Sequence, residues 1–138
     1  MIDTLEIKIT KASTSKLPQV DFDNLPFGKI FSDHMFTADY ENGEWKNFEI
    51  LPFGDIGLSP AISALHYGQA FFEGLKAYLH QDGKITVFRP DQNAIRFNKS
   101  AERLCMPALP EEIFLQGIAA VVDLDKAWIP DKENYSLY

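Results

Sequence analysis

The chain has 138 residues, 46% of them hydrophobic and 13% aromatic, which is enough for one domain with a hydrophobic core. Its net charge is −7 and its 13 lysines and arginines are scattered, so the composition argues against a nucleic-acid partner. The sequence contains no signal peptide, no apolar stretch of about twenty residues and only one cysteine, so no internal disulfide can form. These features predict a cytoplasmic protein without a membrane partner.

The first 24 residues are polar, with lysine, serine and threonine and no stable hydrophobic period. We interpret residues 1–24 as a partly ordered arm that packs on a partner. Residues 25–40 contain several large apolar side chains, namely Phe27, Ile30, Phe31, Met35 and Phe36. The dipeptide Asn42-Gly43 then predicts a tight hairpin, with a return strand over residues 44–50.

The middle of the chain predicts one short helix and a second hairpin. Residues 65–72 are interpreted as the helix, ended by Gly74, because glycine readily adopts the left-handed conformation found at helix ends. Residues 75–79 and 84–88 are short apolar segments on either side of an Asp-Gly turn, which is typical of a hairpin.

Two longer helices are predicted in the last third of the chain. Asp91 is interpreted as the N-cap of a helix that reaches about Leu104 and is stopped by Pro107. Pro110, followed by two glutamates, begins the last helix. Strands followed by helices predict an α+β domain, a two-layer α/β sandwich in which helices cover one side of a mainly antiparallel sheet.

The end of the chain predicts a further strand. Residues 135–138 look like the start of that strand, which stops without a turn, so we expect a domain cut from a longer protein. Cys105 lies between leucine and methionine and is interpreted as a small buried hydrophobic residue. A catalytic thiol is the less favoured interpretation, because no histidine is near it in the sequence.

One region has the composition of an anion-binding corner. Residues 66–78 (HYGQAFFEGLKAY) are followed by a short strand that ends at Pro90 and by a helix with Arg96 in its second turn. A strand end, a helix start and a guanidinium suit an anion. From the residues alone, the ordinary interpretation of Arg96 is a surface arginine paired with Glu102 or Asp91.

Six segments in a fixed order carry a family resemblance. They are residues 31–35 (FSDHM), 66–67 (HY), 72–78 (FEGLKAY), 88–90 (FRP) with the following Arg96, 100–101 (SA) and 136–138 (SLY). In this order and spacing, the chain from about Leu25 to its end resembles the branched-chain amino acid aminotransferases, which are pyridoxal-phosphate enzymes of fold type IV. The resemblance implies that residues 25–138 are the N-terminal small domain. It also implies that the larger domain, with the Schiff-base lysine, lies beyond Tyr138.

The resemblance also implies the site residues. It assigns Arg96 to the phosphate of pyridoxal 5′-phosphate, and a guanidinium fork suits such a dianion. It places Phe27, Tyr67, Phe72 and Tyr138 around the substrate, where aromatic rings would exclude water from a branched aliphatic side chain. No catalytic residue is expected in this chain. Without the resemblance, each of the four aromatic residues would be interpreted as ordinary core.

The remaining charged residues receive structural interpretations. Lys76 is not assigned as the Schiff-base lysine, since the family lysine lies later, and is expected to support Tyr67 or a nearby carboxylate. Glu73 is expected to cap or bridge the backbone of its turn. Arg103 lies two helical turns beyond Arg96 and is interpreted as structural. Arg89 is expected to be extended, because a proline follows it.

No metal site is expected. The histidines, His34, His66 and His80, lack the spacing of metal ligands and have no cysteine beside them. Asp123 and Asp125 are two residues apart on a predicted helix, so they point to different faces and form no acid–base pair.

The resemblance implies a full-length enzyme that transfers the amino group of leucine, isoleucine or valine to 2-oxoglutarate, as a homodimer in branched-chain amino acid biosynthesis or breakdown. The chain alone is expected to be inactive. Two alternatives stay open. One is a related fold type IV enzyme, a D-amino acid transaminase or an aminodeoxychorismate lyase. The other is a non-catalytic dimerisation or ligand-binding module.

Overall fold

The computed structural model describes residues 4–138, which form two small sheets and three α-helices. In chain order the elements are β1 (Lys8–Ile9), a 3-10 turn (Leu17–Gln19), β2 (His34–Glu41), β3 (Glu44–Pro52), α1 (Ser63–Tyr67), β4 (Ala77–Leu79), β5 (Ile85–Val87), α2 (Pro90–Arg103), α3 (Glu111–Leu124) and a second 3-10 turn (Lys126–Trp128). This mixture confirms the α+β class. None of the helices described is long and apolar enough to cross a membrane.

The first sheet has three strands in the order β1-β3-β2. Strands β2 and β3 form the predicted antiparallel hairpin, and Asn42 and Gly43 at its tip have φ values of 55° and 91°, as a two-residue hairpin turn requires. Strand β1 was not predicted. It pairs in parallel with Glu49 and Ile50 of β3, and Ile50 is completely buried.

The second sheet is the predicted hairpin of β4 and β5, in which Ala77 pairs with Val87. The end of the chain joins it through one bridge, since the main-chain groups of Ala77 and Leu137 exchange hydrogen bonds of 2.8 and 3.0 Å. The expected sheet is therefore divided into two smaller ones. The sequence predicted a strand over residues 135–138. The structure has a single bridge there, and it places Tyr138 beside β4.

The helices form the second layer. Helix α3 packs on β2, and α2 packs on α3. Three rings connect α2 and α3 to the loop before β4, with centroids 4.7 Å apart between Phe71 and Phe97 and 5.4 Å apart between Phe97 and Phe114. Asn98 fixes the connection between the two helices, because its side chain both donates to and accepts from the main chain of Leu109 at 2.8 Å.

A buried polar cluster holds the arm against the domain. The carboxylate of Asp33 accepts hydrogen bonds from the Ser15 hydroxyl at 2.5 Å, from the Lys16 main-chain N–H at 2.8 Å and from the Trp128 indole at 3.0 Å. Burial raises the pKa of Asp33, but the bonds from Ser15, Lys16 and Trp128 together with the nearby His34 outweigh it, so the pKa lies below its usual value. Asp33 is therefore a charged, fully bonded group.

His34 makes a second connection beside it. Its Nε2 accepts the Ala12 main-chain N–H at 2.9 Å, so the ring proton lies on Nδ1, which donates to Asp125 Oδ1 at 2.6 Å. Asp125 Oδ2 accepts the His34 main-chain N–H at 2.9 Å. Residues 31–35, one of the six segments that carry the family resemblance, thus connect the arm to the end of α3.

The end of α1 and the start of α2 differ from the sequence predictions. Helix α1 ends at Tyr67, because Gly68 with φ 61° adopts the left-handed conformation there, so Gly74 is not its end. Asp91 lies inside the first turn of α2, and no side chain caps that helix. Arg89 is left-handed with φ 47° instead of extended, since only two residues connect β5 to α2 and the chain must turn sharply.

The prediction for Cys105 is wrong, because its side chain is exposed. Helix α2 ends in a Schellman motif, in which the Met106 N–H donates to Ala101 O at 2.9 Å and the Cys105 N–H to Glu102 O at 3.0 Å. This motif requires a left-handed residue at its turn, and Cys105 has φ 54°. The turn points the thiol away from the core.

Replacing Cys105 with glycine is expected to stabilise the protein by about 1 kcal/mol, because glycine removes the cost of a left-handed Cβ at this position. Urea unfolding measures the change as a higher midpoint. Cys105→Ala is the control, since it removes the thiol and keeps the Cβ. Equal midpoints for the glycine and alanine variants would contradict the explanation from backbone conformation.

Candidate functional site

Arg96 lies on the solvent-facing side of α2 and is held by one carboxylate. Its Nε donates to Glu73 Oε2 at 2.7 Å, and its Nη2 donates to Glu73 Oε1 in a second, short bond. The two side chains differ greatly in exposure, at 67% for Arg96 and 5% for Glu73. The guanidinium is therefore fixed along one edge by a buried partner while much of its surface remains open.

Glu73 is the centre of this arrangement. Besides the two bonds from Arg96, its Oε1 accepts the Asn93 side-chain amide at 2.9 Å and the Gly74 main-chain N–H at 2.9 Å. Asn93 also donates to the Gly74 carbonyl at 3.0 Å. Because Asn93 and Arg96 are three residues apart on α2, both reach the same carboxylate from one helix face.

These bonds shift the ionisation of the pair. The hydrogen bond from Arg96 lowers the pKa of Glu73, burial opposes the shift, and the bonds from Asn93 and Gly74 add to it, so that the pKa falls to about 2. The same pairing raises the pKa of Arg96. The site therefore holds a carboxylate and a guanidinium that stay charged far into the acid range.

The low pKa of Glu73 predicts a pH dependence of stability. The ordinary carboxyl value is 4.5 and the folded value is about 2, so between these values the unfolded chain binds more protons. The stabilisation is present above pH 4.5 and is lost as the pH falls toward 2. We expect a loss of about 1 kcal/mol, since solvent at Arg96 screens the pair. Urea unfolding of wild type and Glu73→Gln across this range measures it, and equal pH slopes would contradict it.

Tyr138 lies beside the same turn. A Cβ built on Gly74 would be 2.5 Å from the Tyr138 hydroxyl oxygen, so only glycine lets the ring lie at this position. The ring centroid of Phe27 is 5.8 Å from that of Tyr138. The structure thus brings three of the five predicted site residues together, with Arg96 joined to Tyr138 and Phe27 through residues 73–74.

The other two predicted residues lie apart from this group. Tyr67 is the last residue of α1 and is 86% exposed, and Phe72 is 87% exposed. Neither side chain forms a hydrogen bond or a ring–ring contact with another residue of the described chain. Phe72 nevertheless directly precedes Glu73. None of the aromatic residues chosen from the sequence is a core residue, since Phe27 is also 86% and Tyr138 63% exposed.

An apolar cleft of about 320 Å³ opens next to Tyr138. It lies between β2, β4 and α3, and its walls include Met35, Phe36, Leu75, Ile118 and Val122. Residues 73–77 contact all three features in turn. Glu73 binds the guanidinium of Arg96, Gly74 lies against the Tyr138 ring, and Leu75 and Ala77 line the cleft. An apolar wall and a fixed positive charge therefore occupy neighbouring positions.

Several residues differ from their sequence-based interpretation. Arg96 pairs with Glu73 and not with Glu102 or Asp91. Glu73 does bond to the backbone, as expected, but its bonds to Arg96 were missed. Lys76 is exposed and forms no ion pair within residues 4–138, so its expected carboxylate partner is not found there. Asn93 was missed entirely. Its spacing of three residues from Arg96 was the available signal.

The fold and the site together define an α+β domain that presents one anchored guanidinium beside an apolar cleft. Such a domain is suited to hold an anionic group next to an apolar one. No protein-family model matches the chain.

Sequence comparison with curated proteins identifies the family of this chain. Branched-chain-amino-acid transaminase 1 of Bacillus subtilis (strain 168) is 48% identical over 119 residues, which is 86% of this chain and 33% of that protein. Branched-chain-amino-acid aminotransferase 2 of the same organism is 42% identical over 136 residues, 98% of this chain and 37% of that protein. The branched-chain-amino-acid aminotransferase of Mycolicibacterium smegmatis is 43% identical over 122 residues, 88% of this chain and 33% of that protein.

The chain spans about a third of the length of the curated relatives it matches. Over that third, it belongs to the family of branched-chain-amino-acid aminotransferases.

Proposed function

We propose that this chain is the N-terminal small domain of a branched-chain amino acid aminotransferase. The full-length protein would transfer the amino group of leucine, isoleucine or valine to 2-oxoglutarate with pyridoxal 5′-phosphate as cofactor. The observation that carries the proposal is the Arg96–Glu73 pair, which offers a fixed guanidinium beside Tyr138 in a chain up to 48% identical to such enzymes. That pair supplies what a phosphate-binding role needs, which is a permanent positive charge with an open face.

The residues present fit the phosphate of the cofactor. Arg96 keeps its charge at any working pH, and its exposed face is directed away from Glu73, so a phosphate could approach without displacing the existing ion pair. Two oxygens of a phosphate match the planar fork of a guanidinium. In this proposal Arg96 holds the phosphate and thereby limits the movement of the cofactor ring.

The aromatic residues would form part of the substrate pocket. Phe27, Tyr67, Phe72 and Tyr138 present exposed rings, and exposed apolar surface of this kind is typical of a site that contacts an apolar ligand or partner. A branched aliphatic side chain against these rings would lose its contact with water, which favours leucine, isoleucine and valine over polar amino acids. Tyr138 and Phe27 already contact each other and supply the part of this wall nearest to Arg96.

The remaining groups would come from outside this chain. Pyridoxal phosphate, when bound, supplies the electron sink for the reaction at the amino acid's α-carbon. We propose that the lysine that bonds to the cofactor and moves the proton lies in the part of the relatives that the chain does not span. A cytoplasmic homodimer, with amino acids and 2-oxo acids as its small-molecule partners, belongs to the same proposal.

The test is an assay of the full-length protein with leucine and 2-oxoglutarate, run beside D-alanine. Glutamate formed from leucine is the expected result. Turnover of D-alanine alone would favour a D-amino acid transaminase, and turnover of neither would favour another fold type IV enzyme or a non-catalytic module. Residues 1–138 alone are expected to form no glutamate, because no lysine in them is assigned to the cofactor. Measurable turnover by that chain would contradict this assignment.

A further inference from the structure

We propose that Glu73 is a positioning residue for Arg96: it holds the guanidinium in the orientation that receives an anionic phosphate ester. The inference rests on the proposed phosphate-binding role of Arg96. It gives a further role to the glutamate at the centre of residues 72–74 (FEG), for which the sequence predicted only a cap or bridge to the backbone of its turn.

The geometry separates the guanidinium into a bound and a free side. Nε and Nη2 donate to the two oxygens of Glu73, and Arg96 makes no other hydrogen bond within residues 4–138 through its terminal N–H groups. A two-point contact between planar groups fixes both the position and the plane of the guanidinium. The remaining N–H donors are therefore directed outward in one known direction.

The carboxylate is itself held by two groups other than Arg96 and by its burial. Asn93 and the Gly74 main-chain N–H bind Oε1, each at 2.9 Å, and burial of all but 5% of the Glu73 side chain limits its rotation. Asn93 comes from α2 and Gly74 from the turn before β4, so the carboxylate joins two parts of the fold. Glu73 thus restricts the movement of the Arg96 side chain, which is otherwise exposed to solvent.

Two opposing effects decide the value of this contact for anion binding. A nearby carboxylate repels an incoming phosphate and weakens its attraction to Arg96. A free arginine, however, must lose side-chain rotamer freedom when it binds, and a pre-oriented one has already lost it. Glu73 accepts four hydrogen bonds, two from Arg96 itself and one each from Asn93 and Gly74, which offset its negative charge, so we expect orientation to have the larger effect.

The test compares the affinity of the full-length protein for pyridoxal phosphate in five forms, namely wild type, Glu73→Gln, Arg96→Lys, the double variant of these two, and Arg96→Ala. Glutamine keeps the size of the side chain and loses the charge. We expect Glu73→Gln to weaken binding about three- to tenfold in the Arg96 background. In the Arg96→Lys background its effect should stay within about twofold, because an ammonium group has no fork to orient.

The outcomes separate the two hypotheses. Equal affinity of wild type and Arg96→Ala would contradict the phosphate-binding role and hence the proposed function. Equal affinity of wild type and Arg96→Lys would overturn only the positioning role, because a lysine can also bind a phosphate as a point charge. If Arg96→Lys weakens binding while Glu73→Gln leaves it equal or tighter, only the positioning role is overturned. An equal loss from Glu73→Gln in both backgrounds would also overturn it, since Glu73 would then act on the fold and not through the guanidinium.

A second measurement tests the positioning without any cofactor. NMR relaxation of the Arg96 Nε–Hε bond, in arginine-labelled protein, reports its rotational order. We expect an order parameter near that of rigid backbone, about 0.85, in wild type and below about 0.6 in Glu73→Gln. A low value in wild type, or no change in the variant, would overturn the inference whatever the affinities are.

Discussion

Arg96→Ala in the full-length protein is expected to weaken retention of pyridoxal phosphate about hundredfold and to lower the rate of transamination with it. Charge-assisted bonds to a phosphate are lost, and the buried carboxylate of Glu73 is left next to the cofactor without its partner. The substitution therefore both removes an attraction to the phosphate and adds a repulsion from Glu73. The measurement is cofactor affinity by absorbance titration, followed by the rate of glutamate formation from leucine at saturating cofactor.

The control for this experiment is Arg103→Ala. Arg103 is an exposed arginine at the end of the same helix and was interpreted as structural, so its removal changes the net charge equally without touching the site. We expect its cofactor affinity to stay within about twofold of wild type. Equal losses from the two variants would show that overall charge, and not the fixed guanidinium, governs binding. Urea unfolding of both variants separates lost binding from lost folding.

Asp125→Ala is expected to destabilise the protein by about 3 kcal/mol. The Asp125 carboxylate is 3% exposed and accepts two hydrogen bonds from His34, one from the main-chain N–H and one from the ring. Without it, both donors of His34 are left buried and unpaired. The contact of the ring with Ala12 should loosen as well, so the arm and the end of α3 would be disturbed together. The free energy of unfolding in urea measures the loss.

Asp123→Ala is the matched control, because it removes the same chemical group two residues earlier. The Asp123 side chain is 81% exposed and forms only a 3.4 Å contact with Lys126. Such a surface pair contributes little, and we expect a change within about 0.5 kcal/mol. A large loss in this variant, or a small one in Asp125→Ala, would contradict the structural role assigned to the buried carboxylate.

The sequence predicted the local features of the fold well, for physical reasons. Asn42-Gly43 and Asp82-Gly83 specify tight turns within a few residues, so both hairpins were found. Strand β1 was missed because two residues have no period, and they pair with Glu49 and Ile50 about forty positions away. The left-handed conformation of Arg89 was missed because the two-residue connection between β5 and α2 requires a sharp turn, which overrides the local preference set by Pro90.

The site was predicted unevenly. Arg96 was chosen through family resemblance, since an isolated helix arginine has no distinguishing pattern of its own. Its partner Glu73 lies 23 positions earlier, and nothing in the sequence shows which of many carboxylates would reach it. The rings of Tyr138 and Phe27, which the resemblance assigns to the substrate pocket, have centroids 5.8 Å apart, while their role in a pocket stays a prediction. The exposure of Cys105 was missed because it results from the positive φ of that residue, which the neighbouring apolar residues do not indicate.

The way the arm is held has a consequence for evolution. The groups that His34 and Asp33 bind include the main-chain N–H of Ala12 and of Lys16, which every amino acid except proline possesses. Substitutions at these two arm positions can therefore accumulate without loss of the attachment, while the receiving side chains cannot change. An alignment of relatives should show a variable arm, proline excluded at positions 12 and 16, and selection concentrated on the residues that accept the bonds.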